Sequence, residues 1–326
     1  MKSLKLQALA KINLDLRILH KRADGFHELR TVFQTVSLAD SIEVDYQPSR
    51  RTKISLDGNI DIAGNLIVRA ADAVLDSTRT HARIHFRLIK KIPMGAGLGG
   101  GSSDAAAILL ALPILIGKPI DAHKLAAHLG SDVPFFLEGG AALALGRGEE
   151  IYPLPDLAEE PILIADSGIH VATGPAYLAL GRGLTFTESS RRIGGFQGFV
   201  RALTESRRAT SACALSENDF ESVVFREHPK LKAIARKLSK SGAAGVRMTG
   251  SGSGVVALYR SREDRAQART ALERARKVLG GDGGSGSRFL PARLVSRRSF
   301  ERLWRRQLRD HILDDDLWPP RSRYER

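Results

Sequence analysis

Between Leu4 and Ile18 every even position is apolar: Leu4, Leu6, Ala8, Ala10, Ile12, Leu14, Leu16 and Ile18. A period of two belongs to a strand with one face on a core, so the stretch predicts one long strand or two in succession. Lys11, Asn13 and Asp15 fall on the other face, with Lys11 and Asn13 about 6.6 Å apart at ~3.3 Å per residue. Asp24-Gly25 marks a turn over residues 21–25, and further strands are expected over 29–38, 40–46 and 82–89. Residues 66–76 have helical spacing. Helices are also expected from Ser103, over 122–129, and near 175–180, 196–204 and 229–240.

Later, residues 161–165 predict a strand opening a second domain, residues 245–260 a hairpin, and 289–295 a closing strand. A charged helix is expected over 263–279, then a flexible glycine-rich loop over 280–287. The Pro- and acid-rich stretch 152–160 is the best boundary. The division is therefore 1–155, 156–296 and a basic amphipathic extension, 297–326. In that extension Phe300, Trp304, Leu308 and Ile312 recur every fourth residue, the spacing of one helix face. Arg302, Arg305, Arg306 and Arg309 take the rest.

The chain has 326 residues, 43% of them hydrophobic, enough for a sizeable core and against wholesale disorder. No apolar run approaches the ~20 residues of a membrane helix, and no signal-peptide pattern opens the chain. The single cysteine, Cys213, excludes an internal disulfide, which fits a reducing compartment or an oxidising one that uses none. The net charge of +14 suits a polyanionic partner, or simply a surface that attracts nucleotides.

The main chemical signal is the run Pro93, Met94, Gly95, Ala96, Gly97, Leu98, Gly99, Gly100, Gly101, Ser102, Ser103. Bare backbone lets N–H groups approach an anion, and a following helix adds the positive end of its dipole. It lacks the Gly-Lys-Ser/Thr ending of a Walker A loop. Gly95, Gly97 and Gly100 do fit a dinucleotide fingerprint, with Asp121 downstream. The strand before it argues otherwise: Ala82, Ile84, Phe86 and Leu88 alternate with Arg83, His85 and Arg87, whereas a sheet strand covered on both faces reads as continuously apolar.

The run resembles the ATP loop of the GHMP kinases, and its triple glycine resembles the diphosphocytidyl-methylerythritol kinases among them. Six further motifs follow that family's order: residues 10–14, 22–27 (with Phe26 where Tyr is usual), 65–70, 131–136, 218–221 and 248–252. The resemblance implies an α+β fold with a ribosomal-protein-like N-terminal sandwich and a ferredoxin-like C-terminal domain. It implies ATP with Mg²⁺, and transfer to the 2-hydroxyl of a cytidine diphosphate substrate of isoprenoid synthesis.

By the same resemblance Asp132 accepts the hydroxyl proton, Lys11 orients it, and Asn13 touches substrate. Phe26 and Tyr177 would sandwich cytosine, His27 would read its edge, and Phe33 would line the pocket. Thr173 would cap a helix and face substrate, and Asn65 would read adenine or ribose. Ser103 is the one candidate metal ligand. The loop Thr249–Gly254 suits a tight hairpin or a phosphate contact. The expected partner is a small molecule, with no membrane and no nucleic acid, in a cytoplasmic monomer or weak homodimer. The extension is expected to pack as a helix on the body or across a dimer.

Overall fold

Two long antiparallel strands, β1 (Lys2–Lys21) and β2 (His27–Pro48), run the length of the first half and pair throughout, with register shifts between Leu9/Lys11, Asn13/Asp15 and Ile18/His20. The structure, a computed structural model, describes residues 1–181, 186–260, 273 and 287–312. The charged helix and loop expected over 263–287 fall almost wholly outside them, as does the tail beyond 312.

The far edge of β2 splits. Residues 41–48 pair with β4 (Ala82–Ile89), which pairs in parallel with β3 (Lys53–Gly58). Residues 31–34 pair with β5 (Ala141–Leu145), followed by β6 (Glu150–Pro153). The glycine loop leaves β4 at this split. There Asp40 Oδ1 accepts from the N–H groups of Lys91 and Ile92, and Thr35 N–H donates to Gly140. Residues 29–46 are thus one strand and not two: Asp40 is wholly buried and acts as a sheet-edge acceptor, not as a turn residue.

Helices α1 (Leu66–Thr78), α2 (Gly100–Ile116) and α3 (Ala122–Leu129) cover one face of this sheet. Helix α2 starts before the expected Ser103, because the last left-handed residue of the loop is Gly99, at φ +69°. A one-turn helix, α4 (Phe135–Glu138), precedes β5. The apolar parity of β1 serves cores in succession: Leu4, Leu6 and Ala8 meet α2, Ala10, Ile12 and Leu14 meet the second half, and Leu16 and Ile18 a third cluster.

The second sheet is antiparallel, in order β10 (Arg288–Arg293), β7 (Pro161–Asp166), β9 (Val255–Leu258), β8 (Gly245–Met248). Helix α9 (Pro229–Ser239) packs on one face, and α6 (Phe186–Ser206) packs on the other beside β1. Among the described residues this half also holds the shorter helices α5 (Thr173–Leu180), α7 (Ala209–Ala212) and α8 (Glu221–Glu227).

Ser296 caps the last described helix, α10 (Arg297–Leu308), through the Ser299 N–H. Phe300, Trp304 and Leu308 are buried in the same core as α1 and α2, and Ile312 packs at its edge. Burying a large aromatic contributes ~1.5–3 kcal/mol. Arg297, at the start of the helix, ties it to the first half: its guanidinium donates to the carbonyls of Gly139, Ala141 and Leu154. The described part of the extension is therefore packed on its own chain.

Candidate active site

A cleft of about 1000 Å³ opens between the halves. At one end the two glycine loops interlock. Ser253 and Gly254 N–H donate to Gly95 and Ala96 carbonyls, and Lys11 N–H donates to Leu98. Contact is so close that a Cβ on Gly97, which has φ +73°, would lie 2.2 Å from the Thr249 carbonyl oxygen. Ala96 and Leu98 point into the core, so only their backbone can serve a ligand. Gly97, Gly99 and Ser102 line the cleft. The N–H groups of Gly100, Gly101 and Ser102 open α2, where no intrahelical acceptor exists and the dipole favours an anion.

Lys11 and Asn13 lie on β1 beside this cradle, both buried. Lys11 Nζ donates to Asn13 Oδ1 at 2.8 Å, lies 3.4 Å from Asp132 Oδ2 and sits 4.6 Å from the Phe33 ring centroid. The Asp132 side chain is 32% exposed, on the cleft wall. Asn13 is also tied to Thr31, Thr249 and the Gly250 N–H. Lysine, carboxylate and helix N-terminus thus face one space, an arrangement for moving an anionic group onto a hydroxyl. The second loop is held from below by a motif whose role sequence did not give. Asn218 donates to Met248 and Gly250 carbonyls, Asp219 accepts from Ile18 N–H, and Glu221 accepts from Met248 N–H.

The other end is aromatic. Tyr177 is packed edge-on against Phe220, and burial, aided by the charge of Asp132, pushes its hydroxyl up to about 12. The base slot expected between Phe26 and Tyr177 is not open. His27 is stacked on Tyr177, with centroids 4.7 Å apart and planes 19° apart. Burial, and secondarily Lys21, lowers the His27 pKa. Phe26 is 54% exposed, with the Arg147 guanidinium 4.7 Å from its ring centroid. Phe33 packs on Phe135 as a core ring that also lines the cleft.

Two expectations need correction, and a third residue has a further role. Thr173 does not cap α5; Ala172 is the cap, and the Thr173 hydroxyl is 2.9 Å from that of Ser251, joining the second loop to α5. Asn65 caps α1 by accepting from Ile67 N–H, a helix-end role the sequence did not show. Ser103 is buried and donates to the Leu9 carbonyl, away from the cleft, so it is a poor metal ligand. Sequence reasoning also passed over Arg147, in a turn without a motif, and the buried trio Asp40, Lys90 and Asp104 behind the loop. The trio's signal was present in a charge directly after β4 and another inside an apolar helix.

Among the described residues no group of three His, Cys, Asp or Glu side chains is placed to hold a metal. Among the side-chain oxygens that line the cleft, those of Ser102 and Asp132 are hard donors of the kind Mg²⁺ takes together with phosphates. No described helix is long and apolar enough to cross a membrane.

Residues 65–140 match the family model of the GHMP kinases N terminal domain, and residues 198–278 that of the GHMP kinases C terminal domain. A 4-diphosphocytidyl-2-C-methyl-D-erythritol kinase of Solibacter usitatus is 49% identical over 98% of this chain and 97% of its own. One of Geobacter sulfurreducens is 37% identical over 85% and 96%. A solved 4-(cytidine 5'-diphospho)-2C-methyl-D-erythritol kinase superposes with a TM-score of 0.71, at 34% identity, over 89% of this chain and 98% of that one. A homoserine kinase of Cytophaga hutchinsonii, 20% identical with a TM-score of 0.69 over 90% and 95% of the two chains, shares the fold.

Proposed function

The chain belongs to the 4-diphosphocytidyl-2-C-methyl-D-erythritol kinase family, within the two-domain α+β GHMP kinases, and from that premise we propose how its cleft works. It is an ATP-dependent kinase that phosphorylates the 2-hydroxyl of 4-diphosphocytidyl-2-C-methyl-D-erythritol in isoprenoid precursor synthesis. The observation that carries this reading is the Lys11–Asp132 pair, 3.4 Å apart, in one cleft with the first turn of α2.

The ATP phosphates lie on the N–H groups of Gly100, Gly101 and Ser102. Asp132 accepts the proton of the attacking hydroxyl. Lys11, fixed by Asn13, holds Asp132 in place and offsets charge on the transferring group. Phosphoryl transfer passes through a loose transition state, so positioning and charge matter more than the strength of the base. Mg²⁺, held by the phosphates with Ser102 and Asp132 as protein donors, would neutralise phosphate charge. The cytidine lies among Phe26, His27 and Tyr177, with Thr173 at the seam and Phe33 as floor. The ATP-holding half is taken as residues 1–155 and the substrate half as 156–296. An ATP-consuming reaction and a single cysteine suit the cytoplasm, where we place the enzyme.

An ADP-release assay on the cytidine substrate, mevalonate, galactose and homoserine tests the reading. Turnover should be confined to the cytidine substrate. Comparable kcat/KM on any of the others would overturn it.

A further inference from the structure

Behind the phosphate cradle, three charged side chains meet inside the core where β4 runs into the glycine loop. The Lys90 ammonium donates to Asp40 on β2 and, at 2.6 Å, to Asp104 on α2. The three side chains are 4%, 0% and 2% exposed. Asp40 Oδ1 also accepts from Lys91 N–H at 2.6 Å and Ile92 N–H at 2.8 Å. Asn59 closes the other side, exchanging hydrogen bonds with the backbone N–H and carbonyl of Lys90. The ammonium lies against the start of α2, where a Cβ on Gly100 would come within 2.8 Å of it.

Stability alone is a poor reason for such a trio. Desolvating buried ions commonly cancels their attraction, and apolar replacements are often as stable. What the trio does provide is a fixed link between the β2 edge and the first turn of α2. We propose that Lys90 is a positioning residue. Through Asp104 and Asp40 its ammonium clamps α2 to the split sheet and so sets the aim of the Gly100, Gly101 and Ser102 N–H groups at the nucleotide phosphates. This rests on reading that helix start as the ATP site. Burial, with Asp40 adding and Lys90 opposing, pushes the Asp104 carboxyl up to about 7. Its Oδ1 is buried with no hydrogen-bond partner among the described residues.

The test uses the full chain and two readouts: calorimetric binding of β,γ-imido-ATP with no alcohol substrate present, and steady-state kinetics. Asp104→Ala leaves Lys90 paired with Asp40 and cuts only the link to α2. It should weaken analogue binding by about tenfold while the KM of the cytidine substrate stays within about twofold. Asp104→Asn keeps an oxygen for the ammonium and should bind the analogue like the unmodified chain. Lys90→Met should behave like Asp104→Ala, and if it does not fold the two Asp104 variants decide alone. Equal analogue affinity in the Ala and Asn variants would overturn the clamp, and so would parallel loss for both substrates. A chain that binds the analogue but never turns over the cytidine substrate would instead overturn the functional reading and leave the clamp standing.

Discussion

At the phosphate end of the cleft, Lys11 and Asn13 are buried, and partners on β1, β2 and the second glycine loop hold Asn13. At the aromatic end, Phe26 is 54% exposed and its neighbours are a guanidinium and a histidine ring that themselves take up stacking faces. One end is fixed by backbone interlock before any ligand arrives, and preorganised charge of that kind lowers a barrier without reorganisation during the reaction. The other must rearrange, because a base cannot lie on the face of Tyr177 that His27 covers. The difference teaches that chemistry and recognition are separable here: changes at the first end should act on kcat, and changes at the second on the KM of one substrate.

The largest expected effect is at the fixed end. Asp132→Asn and Lys11→Ala should each lower kcat by ~10²–10⁴ while folding normally. Near-normal kcat in either, or a loss explained by a lower melting temperature, would remove that residue from the chemistry.

Next comes the interlock itself. Gly97→Ala places a Cβ 2.2 Å from the Thr249 carbonyl oxygen at a left-handed φ, so the loops must part. Its stability should fall by more than ~1 kcal/mol, with kcat/KM falling for both substrates. Kinetics like the unmodified chain would show that loop contact is not what fixes this end.

At the aromatic end, Tyr177→Ala should raise the KM of the cytidine substrate by about tenfold, since base–aromatic stacking contributes ~1–3 kcal/mol, and should leave the KM of ATP alone. Equal damage to both would erase the proposed separation.

The smallest kinetic effect should come from α10, which reaches neither end. Trp304→Ala should cost ~3–5 kcal/mol of stability in denaturant unfolding, as truncating a buried aromatic does, with kinetic constants unchanged. A change in KM would mean that the helix communicates with the cleft.

Much of this was legible in the chain. The even-position parity of β1 placed Lys11 and Asn13 on one face, and the four-residue stripe placed Phe300, Trp304 and Leu308 in a core. What was hidden depends on long-range pairing. Strand β5 is mostly alanine, a weak strand former, and exists through its pairing with residues 31–34 of β2. Strand β3, with Lys53, Ser55 and Asp57, shows its sheet role only beside β4. The Asp40–Lys90 and Lys90–Asp104 links join residues that no local pattern relates, and the stack of His27 on Tyr177 joins positions brought together only by the closed fold. Thr173 and Asn65 matched motifs, yet their hydrogen bonds went to Ser251 and Ile67.

The contrast between a fixed and a yielding end is tested most directly by the His27 ring protons in nuclear magnetic resonance, followed as the cytidine substrate is added without ATP. Stacked 4.7 Å from Tyr177, the imidazole should show an upfield ring-current shift in the free chain. It should lose that shift in proportion to substrate bound, as the base takes its place. Saturable substrate binding with the His27 signals unmoved would contradict the account, because the base would then be held without opening the stack.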